Sequence, residues 1–302
     1  MFSKLKERLS YLFFDRQNDW QMGFSLQPIQ AFLNNDAVPE MKWFPMPRNM
    51  FRADTFGISR DNKHYIFYEE YDYTKRYGMI GCVVLDQEFN ELDRKLIFDD
   101  GHHYSFPVVF EYEGEMYMMP ETLDQGKLSL YKAVSFPFEW KEEHVMLELP
   151  CIDSVVFFRD GFWWLIYSNE ETGNGVFYVR KNAELMGDWK QCKEQKIEYG
   201  PYNSRGGGSV FESGGELYRV TQNCTDSYGQ AVVINRIVNL SDTDYREEAV
   251  KEITAVSLGF TGFHTLSEWG PYTLVDKRAI RLYPKSPGKI IGSLLDKVLK
   301  RT

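Results

Sequence analysis

Apolar residues in this chain fall into pairs of short runs separated by tight polar turns. The clearest pair is Asp153-Ser-Val-Val-Phe-Phe-Arg159, then Asp160-Gly161, then Phe162-Trp-Trp-Leu-Ile-Tyr-Ser168. In a strand, successive side chains point to opposite faces. Val155 and Phe157 therefore share one face and Val156 and Phe158 the other, so the strand is apolar on both sides. Asp-Gly between such runs is the strongest short hairpin signal, because a type I′ turn needs positive φ at both central residues.

The same hairpin recurs. Copies run from Asp54 to Glu69, from Phe106 to Glu121 and from Gly207 to Gln222, and a degraded fifth runs from Phe263 to Asp276. Anchored on the turns at Asp61, Glu113, Asp160, Gly214 and Glu268, the steps are 52, 47, 54 and 54 residues. A period near 50 leaves room for about four strands per unit, which is one propeller blade. The fold class predicted is all-β, a five-bladed β-propeller; a β-sandwich explains the strands but needs no such period. Third strands are expected at Gly78–Leu85, Lys127–Lys132, Gly175–Arg180 and Tyr228–Asn235, and Trp20 to Leu26 reads as a strand that completes the last blade.

Helical spacing appears only at the two ends. Phe2, Leu5, Leu9, Leu12 and Phe13 repeat with it, as do Ile290, Ile291, Leu294, Leu295, Val298 and Leu299, with Lys and Arg between them. The expected organisation is an amphipathic helix over 1–17, a propeller over 18–286 and a second amphipathic helix over 287–302. Such helices either cap the ring or form a shared edge for a membrane surface or a partner.

Composition narrows the function classes. A formal net charge of −9 argues against nucleic acid as the partner. Cys82, Cys151, Cys192 and Cys224 have neither zinc nor disulfide spacing and read as reduced thiols. No stretch approaches the roughly 18 apolar residues that span a bilayer, and no signal peptide is recognisable. The expected location is cytoplasmic, with peripheral contact at the inner membrane face through the terminal helices.

In a propeller the start of each first strand and the end of each second strand meet at one mouth of the channel. That mouth collects Asp54, Glu69, Glu121, Asp153, Arg205, Gln222 and His264, with His103, Tyr104 and Ser105 near equivalent places. Carboxylates around a pocket with an Arg and a His are equipment for glycosidic acid–base chemistry. The plainer alternative is that they hydrogen-bond frayed backbone. Arg205-Gly-Gly-Gly208 looks like a phosphate cradle, but a strand follows it rather than a helix, so its glycines are expected to let strands crowd the axis. Asp242-Thr-Asp244 and His102-His103 have no supporting pattern for a metal. No motif calls for a cofactor.

Several of these runs resemble a known family. They are Ala53-Asp54-Thr55-Phe56-Gly57, Tyr68-Glu69-Glu70-Tyr71-Asp72-Tyr73, His103-Tyr104-Ser105-Phe106-Pro107, Pro120-Glu121-Thr122, Ser204-Arg205-Gly206, Thr221-Gln222-Asn223-Cys224, Tyr228-Gly229 and Gly262-Phe263-His264-Thr265. Together, over roughly residues 18–283, they resemble the propeller domain at the N-terminus of plant glucosamine inositolphosphorylceramide transferases, also found as free-standing bacterial proteins. The resemblance implies a five-bladed propeller related to arabinanase- and levansucrase-type enzymes. In the plant proteins a separate C-terminal domain is the recognised sugar transferase, and the 302 residues here hold no counterpart of it. Thr55 stands where the family commonly has Pro.

The expected function is glycosyl transfer in cell-surface polysaccharide or glycolipid assembly, on a sugar, nucleotide-sugar or glycolipid substrate. Asp54 is expected as base or nucleophile, Glu121 as proton donor and Asp153 as the group that orients the sugar or tunes a neighbouring pKa. Glu69, His103, Tyr104, Ser105, Arg205, Gln222 and His264 are expected to bind substrate. The alternatives are a glycoside hydrolase, and a binding or scaffold module that stacks sugar on Tyr104, Trp163 or Trp164.

Overall fold

The computed structural model describes residues 13–34, 37–285 and 288–289. Its regular elements are strands and short 3-10 turns. The N-terminal segment supplies β1 (Phe14–Ser25) and β2 (Lys42–Trp43). Blade one is β3 (Met50–Arg60), β4 (Lys63–Asp72), β5 (Tyr77–Leu85) and β6 (Glu91–Phe98). Blade two is β7 (Ser105–Tyr112), β8 (Glu115–Glu121), β9 (Leu128–Ser135) and β10 (Glu139–Leu147). Blade three is β11 (Cys151–Arg159), β12 (Phe162–Asn169), β13 (Val176–Asn182) and β14 (Gln195–Glu198). Blade four is β15 (Gly206–Ser213), β16 (Glu216–Asn223), β17 (Ala231–Leu240) and β18 (Tyr245–Thr254). Blade five joins β19 (Leu266–Trp269) and β20 (Tyr272–Pro284) to β1 and β2, in the order β19-β20-β1-β2. The innermost strands β3, β7, β11, β15 and β19 neighbour one another in that order, and β19 meets β3 again. The chain is a five-bladed propeller.

Each blade exists because its hairpin turn is encoded locally. Asp61-Asn62, Glu113-Gly114, Asp160-Gly161 and Gly214-Gly215 all have positive φ at both positions, as type I′ turns require. The fifth turn is Gly270-Pro271, between Trp269 and Tyr272, so Glu268 lies inside β19 and not at the turn. There Gly270 alone takes positive φ, +61°. Proline holds the next φ negative, which makes a different turn chemistry from the other four.

Closure is made by the N-terminus. β1 pairs with β20 over twelve residues, from Phe14↔Pro284 to Ser25↔Thr273, and this removes an open edge. Residues 14–17, placed by periodicity in the first helix, are strand, because β20 offers them a ladder. Apart from Phe13, the remainder of the expected N-terminal helix, and the C-terminal one apart from residues 288–289, lies outside the described residues.

The doubly apolar strands have a direct cause. Five hydrophobic clusters fill the five seams between blades. Tyr65 and Phe67 of β4 face one seam while Ile66 and Tyr68 face the next, and β12 divides Trp163 and Leu165 from Trp164 and Ile166 in the same way. A strand between two stacked sheets has no solvent face, so period-two alternation is erased.

The glycine run at the start of β15 serves the axis. A Cβ on Gly206 would lie 2.4 Å from the Asp153 carbonyl oxygen, and one on Gly208, at φ +144°, 1.9 Å from that of Leu266. Gly208 and Leu266 form the bridge that joins blades four and five. Gly208→Ala is therefore expected to cost at least ~3 kcal/mol in urea unfolding. Gly175→Ala, whose nearest neighbour would be 3.7 Å away, should stay within about 1 kcal/mol of the parent.

Candidate active site at the carboxylate mouth

The mouth is built by irregularities repeated in the innermost strands. The ladder slips between Ala53 and Phe56, Ser105 and Val108, Ile152 and Val155, and Gly206 and Val210. Asp54, Phe106 and Asp153 take φ of +52°, +47° and +45° there. A bulge leaves one residue off the ladder and re-aims its side chain. Blades one and three thus present Asp54 and Asp153 at equivalent places. Blade two presents Phe106 there, not Tyr104 or Ser105.

Two hydrogen-bonded groups result. In the first, Asp276 at the mouth accepts from the backbone N–H of His264 at 3.2 Å and of Thr265 at 3.0 Å, and pairs with His264 Nδ1 at 2.7 Å. Its other oxygen accepts from the Asp54 N–H at 3.1 Å. The Thr265 hydroxyl donates to Asp54 at 3.2 Å, and His264 Nε2 lies 3.5 Å from the same carboxylate. In the second group, Arg205 Nε donates to Asp153 at 2.5 Å, and the Gln222 amide donates to the same oxygen at 3.0 Å. The Asp153 N–H donates to Glu121 at 3.0 Å. Asp276 and Glu121 therefore play the same part: each reaches from the second strand of its blade to the bulge of the next.

The groups share one electrostatic environment. Burial, then the charges of Asp153 and Asp276, push the Asp54 pKa up to about 6 against the opposing pull of His264. Burial and Asp153 push Glu121 up to about 8 although Arg205 pulls it down. Burial, with Asp54, Glu121 and Asp153 adding to it, holds Glu69 well above the usual carboxylate range. Burial disfavours the charged imidazole of His264, but Asp276 and Asp54 outweigh it and raise that pKa. Desolvation and crowding of like charges are the causes throughout.

Asp54, Glu69, Glu121, Asp153, Arg205, Gln222 and His264 are thus brought to one mouth. His103 joins at its edge, where Nδ1 accepts from the Gly78 N–H at 2.8 Å and Nε2 lies 3.8 Å from Glu69. Tyr104 does not join: its ring stacks on Phe98 between blades one and two, and its hydroxyl donates to Asp100. Ser105 is buried in the ladder opposite Glu121. Trp163 and Trp164 sit beside the Asp160-Gly161 turn at the opposite end of their strand, so neither is a platform at the mouth. Asp242 and Asp244 also lie at that opposite end, in the turn between β17 and β18.

Sequence reasoning left out Trp20, Tyr228 and the latching role of Asp276. The Trp20 ring stacks on His264 at 3.6 Å and 8°, Tyr228 meets His264 edge-on, and Arg205 lies 5.0 Å over Tyr228. Trp20 comes from the strand that closes the ring, so only closure places it. Asp54, His264 and Asp276 are the described residues whose ligand atoms, within 4.8 Å of one another, have the donor set for a cation. Asp276 already accepts from three backbone N–H groups and faces the imidazole.

Over residues 11–259 the chain matches the family described as Glucosamine inositolphosphorylceramide transferase 1, N-terminal. It belongs to this family. The Glucosamine inositolphosphorylceramide transferase 1 of Arabidopsis thaliana is 38% identical over 264 residues, which cover 78% of this chain and 34% of the relative. That of Oryza sativa subsp. indica is 35% identical over 211 residues, 66% of this chain and 28% of the relative. The chain spans about a third of the length of these curated relatives. Among solved structures, the catalytic domain of the Coprinopsis cinerea GH62 alpha-L-arabinofuranosidase superposes with a TM-score of 0.57 at 9% identity, covering 86% of this chain and 97% of that one. A thermostable family-43 glycoside hydrolase gives 0.51 at 13% identity, with 80% and 95% covered. At such identities the likeness shows the fold alone.

Proposed function

We propose that the mouth is a carbohydrate site that forms or breaks a glycosidic bond, with family membership favouring transfer in cell-surface polysaccharide or glycolipid assembly. The observation that carries this reading is the convergence of the buried carboxyl groups Asp54, Glu69, Glu121 and Asp153 with Arg205 and His264 at one mouth; burial and crowding raise Asp54 to about 6 and Glu121 to about 8. Near pH 7 Glu121 holds its proton and Asp54 is mostly ionised, the division of labour an acid–base pair needs. Glu121 gives its proton to the departing oxygen, and Asp54 takes one from the attacking hydroxyl of water or an acceptor sugar. Asp153, fixed by Arg205 and Gln222, orients the sugar. The name of the Arabidopsis relative supports a glucosamine donor and an inositolphosphorylceramide-type acceptor.

The bonds from the bulge N–H groups to Glu121 and Asp276 favour a second reading, in which these carboxylates latch adjacent blades and the mouth binds sugar without turnover. A pH series on nucleotide sugars and aryl glycosides separates the two. Catalysis predicts a bell with limbs near 6 and 8, and Glu121→Gln should lower turnover sharply and remove the upper limb from the activity that remains. Sugar binding by calorimetry with no turnover at any pH would leave the binding reading. Stability adds an independent check. Both folded-state pKa values are raised, so the proton-linked stabilisation is fully present below the ordinary carboxylate range and is lost as pH rises from 3.8 to about 6 for Asp54 and from 4.5 to about 8 for Glu121. The Tm should fall across this window, and less so in Glu121→Gln.

A further inference from the structure

β20 does not stop at the mouth. It continues eight residues past Asp276 to Pro284, paired with β1 throughout. At 3.3 Å per residue this two-stranded arm is about 26 Å long. One of its faces is held to the ring: Tyr283 and Tyr73 both donate to Asp19, at 2.6 and 2.8 Å, and Arg281 donates to the Pro47 carbonyl at 2.8 Å. Alternate residues share a face, so Asp276, Arg278, Ile280 and Leu282 lie on the other. Asp276 is in the site, and the Arg278 guanidinium lies 5.4 Å over the Trp20 ring at its rim. Beyond them Ile280 is 43% exposed and Leu282 50%, and Phe13 at the tip is 46% exposed. An apolar strip thus continues outward from the same strand face that enters the mouth.

Charge is divided along the same line. Residues 1–17 hold four Lys or Arg against two Asp or Glu, and residues 277–302 hold eight against one. The two segments together are +9 in a chain of −9, which leaves −18 on residues 18–276. The described ends of the two segments meet at the arm, where the Lys285 N–H donates to the Phe13 carbonyl at 2.8 Å.

We propose that the arm is a docking edge for an anionic lipid surface and turns the mouth toward the membrane. Exposed aliphatic side chains on an arm whose flanking sequence is strongly basic match the acyl boundary and the headgroups of such a surface together. A second copy would set basic against basic, and nucleic acid offers nothing to the aliphatic strip. The proposal does not depend on the mouth being catalytic.

The test is co-sedimentation of the full chain with vesicles of phosphatidylcholine, or of phosphatidylcholine mixed with phosphatidylglycerol, at low and high salt. Binding to the mixed vesicles should exceed binding to the neutral ones and fall with salt. Ile280→Thr/Leu282→Thr should weaken it at least about tenfold, whereas Val134→Thr, exposed at the far end of β9, should not. Equal binding by parent and double variant, indifference to headgroup charge, or no binding at low salt would overturn the proposal. A concentration-dependent dimer, seen by ultracentrifugation and lost in the double variant, would overturn it in favour of an interface between copies.

Discussion

Asp54→Asn is expected to lower turnover at least about 10²-fold while the Tm stays at or above that of the parent. The two halves of this outcome have one cause. Asp54 is buried, its pKa raised by that burial and by Asp153 and Asp276. Above about pH 6 its charge opposes folding, so a neutral amide of the same shape relieves the ring. The amide oxygen can still accept from Thr265, and the bulge N–H can still donate to Asp276. What is lost is the ability to take up a proton. Turnover of the most active nucleotide sugar or aryl glycoside, with a thermal melt at pH 7, checks both halves. Unchanged turnover would remove Asp54 from the mechanism. A large fall in Tm would show that its charge serves the fold.

The largest stability effect is expected at Arg219. Its side chain is buried between blades three and four, where Nε and Nη2 donate to Glu247 at 2.9 and 2.6 Å. It also donates to the carbonyls of Ser204 and Asn203, and its guanidinium lies 4.1 Å over the Phe177 ring. Arg219→Leu leaves Glu247 buried with the Tyr245 hydroxyl as its remaining donor, at 2.6 Å. Removing one partner of such a pair costs about 3–5 kcal/mol, because the other charge is stranded. Removing both is milder, so Arg219→Leu/Glu247→Leu should recover much of the loss. Urea unfolding of the parent and the two variants decides the point, and a single variant within about 1 kcal/mol of the parent would contradict it. The effect should reach the mouth, because the carbonyls that Arg219 holds immediately precede Arg205, and Arg205 positions Asp153.

Much of the ring was legible from the chain because its signals are local. A type I′ turn is written in two residues, and a strand stacked between two sheets is apolar on both faces. Four hairpins and their spacing followed from those rules alone. The fifth did not, since Gly270-Pro271 uses another turn chemistry and its hairpin has no doubly apolar first strand. The mouth was legible in part. Charged residues at strand ends pointed to Asp54, Glu121, Asp153, Arg205 and His264, but the bulges did not show, so Tyr104 and Ser105 were placed where Phe106 stands. A one-residue slip reverses the face of every side chain after it, and no pattern in single residues marks where it falls.

By itself, then, the order of residues determined four of the hairpins and their period, the all-β class and most of the charges gathered at one mouth. Tertiary structure alone decided how those charges are used. Asp276 latches the Asp54 bulge across 222 residues of sequence, and Trp20 covers His264 only because the N-terminal strand closes the ring. The pKa values that separate Asp54 from Glu121 exist only in the closed ring, since burial and the neighbouring charges that cause them come from different blades. Turns and burial patterns are properties of neighbours in sequence. Desolvation and charge crowding are properties of neighbours in space, and the closing of the ring creates them.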